Sequence, residues 1–128
     1  MPPGRPTAIE LLDVVREFLE RDVLPRLTAD VRFQCRVAIN VISTVRRELE
    51  LGPAFQSRER ERLAGLLGDA KPDESLDALN RRLGRQIREG VIDVDSPALL
   101  DHLRQTIGEA LAINNPKWLE KPREEGGP

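Results

Sequence analysis

The sequence predicts an all-α protein: a single-domain bundle of about five helices with mostly antiparallel neighbours. Apolar residues recur at spacings of three and four, and glycine or proline separates one such segment from the next. The one stretch of alternating character, residues 91–94, is too short to form a sheet. With 128 residues the chain has a single-domain length. We expect the bundle to cover residues 6–119, with flexible termini at 1–5 and 120–128.

The first helix is predicted to begin at Ala8. Thr7 and Glu10 have the spacing of a capping box, in which each side chain binds the other residue's free backbone N–H. Pro25 disfavours a helical conformation at Leu24, so this helix should end or kink there. Its apolar side comprises Ile9, Leu12, Val15, Leu19 and Val23.

The second helix is the most apolar segment and is predicted to be the central helix of the bundle. It should start after Thr28, run to Leu51, and stop at Gly52 and Pro53. A helix with apolar groups around most of its circumference needs neighbours on several sides, so we expect it to be enclosed. One stripe contains Val31, Cys35, Ala38, Ile42, Val45 and Leu49, and another contains Phe33, Val37 and Val41.

Three further helices follow. The third is predicted over about Ala54 to Leu67, with Gly68 ending it, and the fourth begins at Asp73 or Ser75. The fourth should end at Gly90. Ser96 is the expected N-cap of the fifth helix, Pro97 its first residue, and Pro116 its limit. Short connections favour an up-and-down topology.

Composition restricts the classes of partner. The net charge of −2 and the pI of about 5.5 argue against a nucleic-acid-binding domain. A single cysteine fits a reducing compartment, and no run approaches the ~18 apolar residues of a membrane span. The N-terminal residues lack the apolar region of a signal peptide. We therefore expect a cytoplasmic protein with no nucleic-acid or membrane partner.

The polar strip of the second helix is the first candidate site. Arg32, Arg36 and Asn40 could bind a phosphate- or CoA-bearing ligand, because arginine offers a planar set of donors. Alternatively, the strip is the solvent-facing edge of the helix. In a third interpretation the two arginines pair internally with carboxylates such as Glu17 or Glu20.

No catalytic constellation is visible. His102 is the only histidine, and a surface or half-buried structural role is the commoner one for such a residue. Metal-binding motifs, phosphate-binding loops and paired catalytic carboxylates are missing from the sequence. We therefore predict no catalytic residues, no metal site and no cofactor, and a protein that is not an enzyme.

The C-terminal segment contains the only tryptophan. Trp118 and Leu119 follow a helix-stopping proline, in a segment too short to form its own core. They could fold back over the bundle, or they could be exposed anchors for a partner, since tryptophan is enriched at interface hot spots.

The order of several strings resembles an uncharacterised family of small bacterial helical proteins with a domain-of-unknown-function label. These strings are PTAIELLDVVREFLERDVLP, FQCRVAINVISTVRRELELGP, IREGVIDVDSPALLDHLRQT and LAINNPKW, and together they span about Pro6 to Trp118. The resemblance implies a gene neighbourhood of aminoglycoside-phosphotransferase-like kinases and acyl-CoA dehydrogenases. It supplies no catalytic residues.

These observations together predict a non-catalytic helical accessory or interaction protein. Its partner would be a kinase-like protein, an acyl-CoA dehydrogenase, or a second copy of the chain. The alternative is a small-ligand binding module that uses the polar strip of the second helix.

Overall fold

The computed structural model describes residues 5–120, and it gives only the backbone of Trp118 and Glu120. This part of the chain is all-α, as predicted, and contains no strand. Four main helices are present rather than about five. They are α1 (Ala8–Phe18), α2 (Ala29–Leu67), α3 (Leu76–Arg88) and α4 (Pro97–Asn114), and a five-residue helical turn covers Pro116–Glu120. The predicted flexible termini lie almost entirely outside the described residues.

Helix α1 begins with the predicted capping box. The backbone N–H of Thr7 donates to Glu10 Oε1 over 2.8 Å, and the N–H of Glu10 donates to Thr7 Oγ1 over 3.1 Å. After Phe18 the chain continues as a π-helical turn, Leu19–Val23, and then as a 3-10 turn, Leu24–Arg26, which contains Pro25. The α-helix itself therefore ends at Phe18, before the predicted limit, whereas the helical backbone as a whole ends at Arg26, next to Pro25.

Helix α2 is one continuous helix of 39 residues, so the predicted second and third helices are not separate. The predicted stop at Gly52 and Pro53 is wrong. A glycine that ends a helix adopts a positive φ, and among the described residues only Gly68 and Gly90 do so. Gly52 keeps a negative φ, and Pro53 lies inside the helix.

The remaining helix ends agree with the sequence prediction. Gly68 follows α2 with φ 83°, and Gly90 follows α3 with φ 77°, a conformation that glycine adopts without steric cost. Ser75 caps α3 by accepting from Ala78 N–H, and Ser96 caps α4 by accepting from Leu99 N–H. Pro97 occupies the first turn of α4, where its missing N–H has no cost.

The described residues fall into two compact units that divide between Gly52 and Pro53. The N-terminal unit contains α1 and the first half of α2, and Ile39, 7% exposed, is the one buried large hydrophobic residue among those described in it. The prediction that the second helix is enclosed by neighbours is therefore wrong for this unit. In this unit a single α-helix, α1, packs against the first half of α2. The buried residue Ile39 belongs to neither of the two predicted stripes.

The C-terminal unit has the better-formed hydrophobic core. Leu63 of α2, Leu79 and Leu83 of α3 and Leu99 of α4 are at most 5% exposed. Around them pack Leu66, Leu67, Ala70, Leu76, Ile87 and Ile92. In this unit, the apolar residues at helical spacing are buried as the sequence predicts.

Candidate functional site

The N-terminal unit exposes an unusual amount of apolar side chain. On α2, Val31, Val45 and Leu49 are 41–48% exposed, Ala38 is exposed, and Cys35 and Ile42 beside them are half-buried. This is the first of the two predicted stripes, and it lies at the surface of the unit. Isolated exposed apolar residues are ordinary, but a contiguous group indicates an interaction site.

Helix α1 contributes a second exposed apolar group. Leu11, Val15 and Phe18 are 47–55% exposed, whereas Leu12 and Leu19 are half-buried. An ion pair between Asp13 of α1 and Arg46 of α2 joins residues before and after the turn Leu24–Arg26, so the chain reverses direction there and the two helices run antiparallel.

Helical geometry places the two exposed groups toward one side of this helical pair. Positions around each helix are counted at 100° per residue, viewed from its N-terminus. In both helices the exposed group is offset in the same rotational sense from the half-buried side chains that face the other helix. In two antiparallel helices the same sense of rotation leads to the same side. We call this side the apolar face; it comprises Leu11, Val15, Phe18, Val31, Ala38, Val45 and Leu49, above half-buried Leu12, Leu19, Cys35 and Ile42.

The predicted polar strip lies on the other side of the pair. Arg32, Arg36 and Asn40 are all exposed, and rotation along the helices brings them to the side that carries Glu17 and Glu20. Within the described residues neither of these arginines forms an ion pair. The proposed phosphate or CoA site on this strip stays a prediction.

A different set of charges joins α1 to α2. Asp13 Oδ1 accepts from Arg46 Nε over 2.7 Å and from Arg16 Nη2 over 3.3 Å, and Arg46 also reaches Glu50 over 3.1 Å. The hydrogen bond to Asp13 raises the pKa of the Arg46 guanidinium above its ordinary value. An ion pair between the two helices is thus made by Arg46, a residue outside the three interpretations of the polar strip.

The predicted anchors near the C-terminus lie in the helical turn Pro116–Glu120. Leu119 is 54% exposed, and its role as an anchor for a partner stays a prediction. The side chain of Trp118 lies outside the part of the structure that can be described.

Sequence reasoning missed a polar cluster in the C-terminal unit, centred on Arg62 of α2. Its guanidinium uses all five N–H groups on side chains of α4. Nε donates to His102 Nδ1 over 3.0 Å, and two hydrogen bonds of 3.0 and 3.3 Å reach the Glu109 carboxylate. The remaining two reach Thr106 Oγ1 over 3.1 Å and Gln105 Oε1 over 3.4 Å.

His102 is fixed in one protonation state by this contact. It is 3% exposed, and because arginine only donates, its Nδ1 must be the unprotonated nitrogen. Burial, and then the nearby Arg62 charge, lower the pKa of His102, and these effects outweigh Glu59, Glu109 and Asp101, which raise it. His102 is therefore a neutral imidazole that carries its proton on Nε2.

A cleft of about 240 Å³ lies beside this cluster, lined by Arg62, Gly65, Leu66, Ala98, Asp101, His102 and Gln105. Typical small-molecule sites measure roughly 300–1,000 Å³, so this one is small. Arg62 has no remaining donor to offer an anion there. The cluster therefore joins α2 to α4 and does not resemble a phosphate site.

Comparison with known proteins places the chain in a family. A family model described as a domain of unknown function, DUF6285, matches residues 25–118. The chain belongs to the DUF6285 family. Its match begins within the 3-10 turn, so most of the apolar face and the whole Arg62 cluster lie inside the DUF6285 region, whereas α1 precedes it.

No curated protein and no solved structure matches this DUF6285 chain. In the described residues, no group of three or more histidine, cysteine or acidic side chains is placed to hold a metal ion. None of the described helices combines the length and the apolar character needed to cross a membrane.

Proposed function

We propose that this protein is a non-catalytic helical interaction protein that associates with a second copy of itself through the apolar face of the N-terminal unit. The observation that carries the proposal is the contrast within that unit. Ten large apolar side chains of the described part of this unit are exposed, and six of them lie on the apolar face at 41–55% exposure, whereas Ile39 is the one buried large hydrophobic residue described in the unit. Two helices with so small a core need a further apolar surface for stability.

The size of the apolar face fits a dimer interface. Six side chains of this type at about half exposure present roughly 500 Å² of apolar surface. A standard interface buries about 800 Å² per partner, of which somewhat more than half is apolar. The face is therefore large enough to be the core of such an interface.

The chemistry of the face favours a second copy over a charged partner. The residues that form it and those half-buried beneath it include no charged side chain. A surface of this kind offers nothing to select an acidic or basic partner, but it is complementary to itself. Two copies would bring two helical pairs together as a four-helix arrangement, with each contact made twice about a two-fold axis.

The kinase-like or acyl-CoA dehydrogenase partner that the family resemblance implies is the competing occupant of this face. We place the interaction in the cytoplasm, where a reducing environment keeps Cys35, which lies beneath the face, as a thiol.

Sedimentation of the purified full chain tests the proposal. We expect a dimer that dissociates on dilution, and a Val45→Arg variant that is a folded monomer at about 100 μM, because burying the new charge in the interface is costly. Val45 is 41% exposed in the single chain, so the unit itself can accept arginine.

The matched control is Val94→Arg, which makes the same exchange at a 59% exposed valine of the C-terminal unit. It should leave the dimer intact. A wild-type chain that sediments as a monomer at about 100 μM would contradict self-association and leave a different protein as the occupant.

A further inference from the structure

The exposed stripe of α2 has the spacing of a coiled coil. From Val31 through Cys35, Ala38, Ile42 and Val45 to Leu49, the intervals are four, three, four, three and four. This is the heptad pattern in which alternating core positions face another helix. Within one chain the stripe is not covered: four of its members are exposed and two are half-buried.

We propose that α2 helices from two copies pair as an antiparallel coiled coil through this heptad stripe, centred near residue 40. This inference rests on the self-association proposed above and specifies its geometry. In the proposed register, Val31 of one copy lies opposite Leu49 of the second copy. Cys35 lies opposite Val45, and Ala38 lies opposite Ile42.

Side-chain volume decides between antiparallel and parallel pairing. The antiparallel register places a smaller residue opposite a larger one in every layer, which fills the core evenly. Parallel pairing would place Cys35 against Cys35 and Ala38 against Ala38, two adjacent layers of small residues. Such layers leave voids, and voids in a core are destabilising.

The residues beside the stripe agree with this arrangement. On the edge that faces α1, Ile39 is buried and Arg46 pairs with Asp13, so this edge is occupied within the chain. On the opposite edge, Gln34, Val41 and Glu48 are exposed. Antiparallel pairing places Val41 opposite its own copy and Gln34 opposite Glu48, so an amide can donate to a carboxylate and no like charges meet on this edge.

The lengths of the exposed groups also favour contact between the two α2 helices. The α2 stripe covers 19 residues, about 27 Å at 1.5 Å per residue, whereas the exposed group on α1 runs from Leu11 to Phe18, about 10 Å. If α2 packed on α1 of the second copy, a large part of the stripe would stay in water.

Disulfide trapping in the full-length protein tests the register, with Val45→Cys in the presence of native Cys35. Under mild oxidation, this variant should form at least about ten times more covalent dimer than wild type, because residues 35 and 45 are opposite each other. Within one chain these two positions are about 15 Å apart along α2, too far for an internal disulfide.

Two matched proteins complete the test. Wild type, with Cys35 alone, and Val45→Cys/Cys35→Ser, with one thiol at position 45, should both stay uncrosslinked, because like positions in the two copies are about 15 Å apart. Crosslinking of wild type would show parallel pairing and overturn the inference. If the protein sediments as a dimer but Val45→Cys does not crosslink, the antiparallel register is wrong. If the protein sediments as a monomer, the proposed self-association itself is wrong.

Discussion

Arg62 shows how one side chain can join two helices of the C-terminal unit. All five of its N–H groups bind acceptors on α4, and the side chain is only 13% exposed. Hydrogen bonds to a charged group contribute about 1.5–3 kcal/mol each in favourable cases, and loss of one partner leaves the other groups unsatisfied. The individual contributions of this cluster are therefore expected to be strongly coupled.

Arg62→Met should lower the free energy of unfolding by about 3 kcal/mol, because it leaves the half-buried Glu109 carboxylate with only the distant Arg58 as a cation and removes the donor to buried His102 Nδ1. Arg58→Met is the matched control. Arg58 is 59% exposed and 4.0 Å from the same carboxylate, so its loss should change stability by less than about 0.5 kcal/mol. Urea denaturation measures both, and equal effects would contradict the assignment.

His102 should make the stability depend on pH. The folded state keeps this imidazole neutral with a lowered pKa, whereas in the unfolded chain it is protonated below about pH 6.5. The unfolded state then binds more protons, so stability should fall as the pH is lowered from about 7 to 5.5.

His102→Gln provides the control for this effect, because the glutamine oxygen can still accept from Arg62 but does not titrate. Denaturant melts across this pH range should show a shallower pH dependence for the variant. The same dependence in both proteins would mean that His102 is not the group responsible.

The sequence predicted neither role at this scale. His102 was expected to be a surface or half-buried histidine, and Arg62 lies in a run of alternating charges that is typical of an exposed helix. Arg62 and His102 are 40 positions apart in the sequence, and Arg62 and Glu109 are 47 positions apart. Local spacing contains no information about such a pair.

At the scale of elements, the helix caps were predictable and the continuity of α2 was not. The capping box at Thr7, the caps at Ser75 and Ser96 and the left-handed glycines at 68 and 90 depend only on neighbouring residues. Whether Gly52 and Pro53 end a helix depends instead on the conformation that packing imposes on them. A glycine followed by a proline is compatible both with the end of a helix and with a helix that continues.

Pro53→Ala should therefore stabilise the protein by about 1–3 kcal/mol. Proline in a helix interior removes one backbone hydrogen bond and clashes with the preceding turn, at a cost of about 3 kcal/mol relative to alanine. Pro97→Ala is the matched control, since Pro97 lies in the first turn of α4 and should give no gain. If Pro53→Ala is destabilising in urea melts, α2 does not continue through this position.

Glycine-to-alanine exchanges should have opposite signs at two positions. Gly90 has φ 77°, where a side chain is strained, so Gly90→Ala should destabilise by about 1 kcal/mol. Gly108 lies inside α4 with open space around an added methyl group, so Gly108→Ala should stabilise by about 0.5–1 kcal/mol. Thermal melts of the two variants check the difference in sign.

For the whole molecule, the all-α class followed from the spacing of apolar residues, but the predicted enclosure of the second helix did not hold. Apolar spacing shows which side of a helix avoids water. It does not show whether the covering surface comes from the same chain. In the stripe from Val31 to Leu49, only Cys35 and Ile42 are half-buried within the single chain, and the other four members are exposed.

If a second copy covers this stripe, the melting temperature should rise with protein concentration. Association stabilises the folded state by mass action, and a hundredfold excess over the dissociation constant contributes about 2.7 kcal/mol. Val45→Arg should melt at a temperature independent of concentration, whereas Val94→Arg should behave as wild type. Calorimetry over a wide concentration range distinguishes the two, and a wild-type melting temperature that does not change would contradict self-association.

The single histidine gives this protein a built-in spectroscopic reporter. Because the chain contains one imidazole, an untagged sample has one set of histidine ring signals, and no assignment by mutation is needed. Its two ring nitrogens should differ widely in ¹⁵N chemical shift, with the proton on Nε2, for as long as Arg62 donates to Nδ1. Nuclear magnetic resonance can therefore follow the contact between α2 and α4 in the intact protein, as temperature or partner concentration changes.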